Sequence, residues 1–100
     1  MAEIDADCLA GSTVEVAGEI VDERVRAHAK HRDHSMESWP ALSTERYLIL
    51  AEEVGEVAKE FNDATVESRP IDRTALRTEL VQVATMAVAW VAALDLESTG

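Results

Sequence analysis

A single cysteine, two prolines, four glycines and four aromatic residues in 100 positions exclude several architectures at once. One thiol, Cys8 in a polar N-terminal stretch, permits no intrachain disulfide, and no neighbouring cation in the sequence marks it as a reactive thiol. A reducing, cytoplasmic compartment fits that usage. So little Gly and Pro removes the turn chemistry that a sandwich or barrel repeats. A glycine-rich phosphate loop is excluded too, since Gly11, Gly18, Gly55 and Gly100 are isolated. Positive charge is equally short: nine Lys and Arg against twenty Asp and Glu give a formal charge of -11. That balance repels nucleic-acid backbones and anionic membranes, so neither a nucleic-acid polymer nor a membrane is an expected partner. The longest apolar run, Val83 to Leu94, is shorter than the about 20 residues needed to span a bilayer. The opening residues MAEIDAD have no apolar core and predict no signal peptide.

What is present favours helices. Apolar residues make up 47% of the chain and are mostly Ala, Val and Leu. The length suits one small domain, without internal repeats. The expected organisation is a flexible N-terminal tail over residues 1–11 and one helical domain over 12–97. Ser12 and Glu15 read as a capping box that starts a first helix at about Thr13, running to Arg32 with Val16, Ala17, Ile20, Val21 and Val25 as its apolar stripe. Asp33 to Leu42 lacks a period and reads as a loop. Ser43 or Thr44 caps a second helix to about Asp63, with Tyr47, Leu50, Ala51, Val54, Val57, Ala58 and Phe61 at core spacing. After a loop containing Pro70, Asp72 or Thr74 caps a third helix that ends near Asp95. Its expected core stripe is Leu76, Leu80, Val83, Ala87, Val91 and Leu94. The fold class is therefore all-α, an antiparallel bundle of about three main helices.

Between Leu80 and Leu94 only Gln82 and Thr85 are polar, so the third helix is apolar nearly all round. Two other helices of one small chain cannot cover every face, which predicts completion by a second copy, as a homodimer or homotetramer. Trp90 in this helix reads as a core or interface residue.

Two short patterns carry the chemistry. Glu53 and Glu56, with Glu52 beside them, and then Glu79 and Gln82 stand at i,i+3 spacing on two helices. Residues so spaced lie within about 60° on a helix face, so two packed helices can aim four oxygen donors at one point. Inward-facing carboxylates are how bundles build metal sites, and all-oxygen ligation suits magnesium or manganese over zinc. The competing reading is a solvated acidic face. Lys59 relieves only part of the repulsion among these acids, and like charges at such spacing destabilise a helix, which favours a cation partner. His28, His31 and His34 drift around their helix with Lys and Arg between them and read as a solvated helix end, not a zinc site.

The segment LAEEVGEVAKEF followed by RTELVQVATMAVAWVAAL resembles the MazG-like, all-α nucleoside triphosphate pyrophosphohydrolases, whose signature is EExxE, a spacer, then ExxD. Glu52, Glu53 and Glu56 match the first half, Glu79 matches the second Glu, and Gln82 stands where the family has Asp. The resemblance covers about half the chain. It implies an oligomeric helical bundle, magnesium dependence, and hydrolysis of an NTP or dNTP to the monophosphate and pyrophosphate, a nucleotide-pool housecleaning activity. Glu53, Glu56, Glu79 and Gln82 are then the expected metal ligands, and Glu52 the residue that orients or deprotonates the attacking water, or else a solvated acid. Gln82 supplies a neutral carbonyl oxygen that neutralises no metal charge, which keeps a catalytically silent helical oligomerisation or regulatory module as the alternative. Lys30, Arg32, Arg46 and Lys59 are candidate phosphate contacts. Trp39 either stacks on a base or packs on the core, and Met86 either lines the base pocket or fills the core.

Overall fold

The computed structural model describes residues 5–31 and 36–98, so Arg32 and His34 lie outside the described residues. Three helices, α1 (Ala6–His31), α2 (Thr44–Val66) and α3 (Arg73–Ser98), and a single 3₁₀ turn at Met36–Ser38 make up the regular structure, with no strand among the described residues.

Each helix begins at an acid or hydroxyl in the N-cap position. Asp5 accepts the Cys8 N–H at 2.9 Å through its carboxylate, so α1 starts two turns before the expected Thr13 and residues 6–11 are helix, not tail. The Ser12–Glu15 box does not form; inside the helix, Ser12 Oγ donates to the Cys8 carbonyl at 2.9 Å. Ser43 has extended N-cap geometry (φ -111°, ψ 144°), yet its Oγ makes no capping bond and is buried without a partner. Asp72 caps α3 as expected, its Oδ1 accepting the N–H groups of Thr74 and Ala75 at 3.0 Å each.

α2 runs three residues past the expected Asp63 and closes in a Schellman motif. The Arg69 N–H reaches the Ala64 carbonyl at 2.9 Å and the Ser68 N–H reaches Thr65 at 3.3 Å, with Ser68 left-handed at φ 53°. This tight turn makes α2 and α3 antiparallel: Trp90 meets Ala41 at one end, and Phe61 shares a hollow with Leu76 and Leu80 at the other. α1 runs parallel to α3, since Glu19 pairs with Arg77 and Glu23 with Gln82. α3 is thus the shared helix, packed by both others and by the 3₁₀ turn.

The faces that meet are not the expected stripes. On α3 the fully buried positions are Thr85 and Ala89, whereas Leu80, Val91 and Leu94 are exposed. On a helical wheel the buried pair lies roughly 180° from the centre of the expected stripe. Small side chains at the contact let the helices approach closely. On α2 the covered face runs through Arg46, Ile49, Glu53, Val57, Glu60 and Ala64, about 100° from the expected centre. Tyr47, Val54 and Phe61 are left exposed. On α1, Val16 and Ile20 are half-buried as expected, but the stripe continues through Glu23 and Ala27 while Ala17, Val21 and Val25 face outward.

Candidate functional site

That rotation of α2 carries Glu53 inward. A cavity of about 310 Å³ opens where the three helices and the loop before α2 meet, lined by Glu23, Arg26 and Ala27 of α1, Met36 and Trp39 of the loop, Ile49, Glu52 and Glu53 of α2, and Gln82 and Met86 of α3. Its walls divide by chemistry: Ala27, Met36, Trp39, Ile49 and Met86 form an apolar side, and the remaining residues a polar one. Five of the residues singled out from sequence, Glu52, Glu53, Gln82, Trp39 and Met86, line this one space.

Trp39 is held there by its backbone. The buried guanidinium of Arg46 donates from Nη2 to the Trp39 carbonyl at 2.9 Å and from Nε to the Trp39 and Pro40 carbonyls at 3.1 and 3.2 Å. Trp90 Nε1 donates to the Ala41 carbonyl at 2.7 Å, and the Ala41 N–H donates to Glu97 at 2.6 Å. Arg46, expected as a phosphate contact, is therefore a loop clamp, because its Nε and Nη2 are bound to carbonyls and only 5% of it is exposed. Trp90 packs against the loop rather than standing free.

Glu53 is the electrostatic centre of the polar wall. Its carboxyl is pushed above the ordinary carboxylate range first by burial and then by the charges of Glu79, Glu52, Glu56 and Glu23. Glu79 and Glu56 thus act on Glu53 without lining the cavity. Glu23 is of the opposite kind: its pKa is lowered, first by hydrogen bonds from Arg26 and further by Gln82. The Gln82 side-chain N–H donates to Glu23 Oε1 at 2.8 Å, and Arg26 Nε donates to Glu23 Oε2 at 3.0 Å. As these side chains stand, no group of three or more His, Cys, Asp or Glu among the described residues converges to hold a metal ion. The donors suit a hard cation in kind, all being oxygens, but Glu56 and Glu79 do not line the cavity with Glu53 and Gln82.

Two expected phosphate contacts are not brought to the cavity. Lys59 lies 3.5 Å from Asp63 on the outer side of α2, beside a separate hollow. Lys30 is exposed near the end of α1 and does not line the cavity. The cation that does line it is Arg26, which sequence reasoning missed together with Glu23. The signal was the i,i+3 pairing of Glu23 with Arg26 on the stripe that begins at Val16 and Ile20. No family model, curated protein or solved structure matches the chain.

Proposed function

We propose that the chain is a magnesium-dependent nucleoside triphosphate pyrophosphohydrolase, acting in a reducing, cytoplasmic setting on the nucleotide pool. The observation that carries the reading is the gathering of Glu52, Glu53, Gln82, Trp39 and Met86 around one cavity, with an apolar side that suits a base and an acidic side that suits a cation-bound phosphate chain. The motif resemblance supplies the reaction class.

Glu53, Glu56, Glu79 and Gln82 are the residues that would hold magnesium, or manganese in its place. When bound, the metal supplies charge neutralisation for the triphosphate and the departing pyrophosphate. Around it the chain's own groups divide the work. Trp39 and Met86 bind the base against an apolar wall, and the Arg46 clamp keeps Trp39 in position. Arg26 brings to the cavity a guanidinium, paired through Nε and Nη2 with Glu23, that a phosphate oxygen would share. Glu52 takes a proton from water as the water oxygen bonds to the α-phosphorus and the bond from that phosphorus to the β-phosphate oxygen breaks. The products are the monophosphate and pyrophosphate.

One observation favours the second reading, a silent helical module: Gln82 spends its amide on Glu23 instead of presenting a charge. Metal titration by calorimetry separates the two. The enzyme reading predicts saturable magnesium or manganese binding that Glu53→Gln weakens at least tenfold; a titration with no binding up to millimolar metal favours the silent module.

A further inference from the structure

The loop before α2 is tethered from every helix. Arg46 of α2 holds the Trp39 and Pro40 carbonyls, and Trp90 and Glu97 of α3 hold the two backbone groups of Ala41. The tether from α1 is Arg24, whose Nε donates to Glu37 Oε1 at 2.7 Å and whose Nη2 donates to Oε2 at 3.0 Å. A side-on pair of two bonds fixes direction as well as distance, since a planar guanidinium meets a planar carboxylate. Only 29% and 24% of the two side chains are exposed, so solvent screens this pair less than one on the open surface.

Glu37 is the middle residue of the 3₁₀ turn Met36–Ser38. At three residues per turn, side chains at i and i+3 eclipse, which sets Met36 and Trp39 on one side. Both line the cavity, and Met36 is buried. Glu37 faces another way: with Arg24, Val21, Val25 and His28 it lines a separate hollow of about 250 Å³. The same split holds on α1. Glu23 and Ala27 line the cavity, whereas Arg24, about 100° further round the helix, does not. Arg24 and Glu37 thus grip from behind a segment whose front supplies two of the five apolar side chains at the cavity. The Glu37 carboxyl is held below the ordinary carboxylate range by the Arg24 hydrogen bond first, against burial, with the charges of Arg24, Arg46 and His28 lowering it further. It is therefore ionised at neutral pH, and the pair persists there.

We propose that Arg24 and Glu37 are positioning residues that hold Met36 and Trp39 as a fixed apolar wall of the cavity. Neither lines the cavity, so each acts through the loop. Without the pair, the loop keeps its tethers at Trp39, Pro40 and Ala41 and loses the bond to α1 at its Met36 end. The wall then gains freedom that a ligand must remove on binding. For a nucleotide this cost falls on ground state and transition state alike, so it shows in KM rather than in kcat. That consequence rests on the nucleotide reading of the cavity; the hold on the loop does not.

Hydrogen exchange of the full chain without nucleotide, followed by mass spectrometry, reads the loop directly. Arg24→Gln speeds exchange in peptides covering residues 36–42 by about tenfold and leaves peptides from α3 at the parent rate. Glu37→Gln does the same, and the double variant adds nothing further, because both changes remove one interaction. Arg24→Lys keeps the charge and loses the fork; it gives a smaller rise in the same peptides and decides where Arg24→Gln does not fold. Unchanged exchange at residues 36–42 in a folded variant overturns the proposal, as does an equal rise along the whole chain or an additive rise in the double variant. The kinetic arm uses the NTP or dNTP that the parent hydrolyses fastest. Arg24→Gln raises KM about tenfold and leaves kcat within about twofold, and a lower kcat at the parent KM overturns the positioning role. A parent that releases pyrophosphate from no nucleotide defeats the hydrolase reading, and the exchange result then decides the hold on the loop.

Discussion

Glu53 pays for its position with a raised pKa, and the sign of that shift makes it testable. Burial first, then the charges of Glu79, Glu52, Glu56 and Glu23, hold its folded value above the ordinary 4.5. The folded state therefore binds this proton more tightly than the unfolded state, and stability falls as pH rises from 4.5 through the folded value. Glu19, Glu23 and Glu37 run the other way: their lowered values give stability that is present above 4.5 and lost as pH falls through their folded values. Metal-free protein should accordingly be most stable on the acid side of neutrality. Glu53→Gln should raise its melting temperature at pH 7 and flatten the decline from weak acid to neutral, read by circular dichroism across pH. A lower melting temperature for Glu53→Gln at pH 7 would contradict the electrostatic account. Gln82→Asp provides a second residue-scale test, because it replaces a donor to Glu23 with a like charge. Loss of that bond should cost about 1–3 kcal/mol without metal, and added magnesium should recover more stability in the variant than in the parent. Equal metal-induced shifts in the two would place Gln82 away from the cation.

At the scale of elements, ends and turns were more legible than faces. Asp72 caps α3 through its carboxylate, Ser43 holds the N-cap position of α2 without a capping bond, and helix type followed from apolar spacing. The start of α1 was missed because its first turns are solvent-exposed and leave no periodic trace, while Asp5 supplies the cap that Ser12 was expected to give. The contact faces of α2 and α3 were missed for a different reason. Apolar periodicity marks the face with the most apolar surface, and here that face is left exposed by the single chain, while Thr85, Ala89 and Ala64 mark the close contacts. Of the expected acids, Glu52 and Glu53 line the cavity and were legible from the EExxE pattern, whereas Glu56 and Glu79, at the same spacing, do not line it. Arg26 and Glu23 were not legible, since only the packing of α1 along α3 brings them to the cavity. The element boundaries yield two expectations for urea unfolding. Asp5→Ala should cost about 1 kcal/mol and Ser12→Ala much less, and Ser68→Gly should stabilise by about 1 kcal/mol by relieving a left-handed non-glycine residue. Equal effects of Asp5→Ala and Ser12→Ala would show that α1 starts elsewhere.

For the whole molecule, one arrangement connects these scales. α3 holds Gln82 and Met86 at the cavity, receives α2 with Glu52 and Glu53 on one side, and receives α1 with Glu23 and Arg26 on the other. The loop carrying Trp39 closes the fourth side through Arg46, Trp90 and Glu97. Loss of the clamp in Arg46→Ala should therefore shift Trp39 emission to the red and lower stability by about 1.5–3 kcal/mol, since the bonds involve a charged donor. The central claim is that this cavity hydrolyses a nucleoside triphosphate at the α-phosphorus. The most direct measurement is release of pyrophosphate by the full chain from a panel of NTPs and dNTPs with magnesium. The account predicts pyrophosphate and the matching monophosphate in equal amounts from at least one nucleotide, abolished by chelation of the metal and reduced at least a hundredfold by Glu53→Gln. Absence of pyrophosphate from every nucleotide, by protein that is folded and metal-replete, would contradict it.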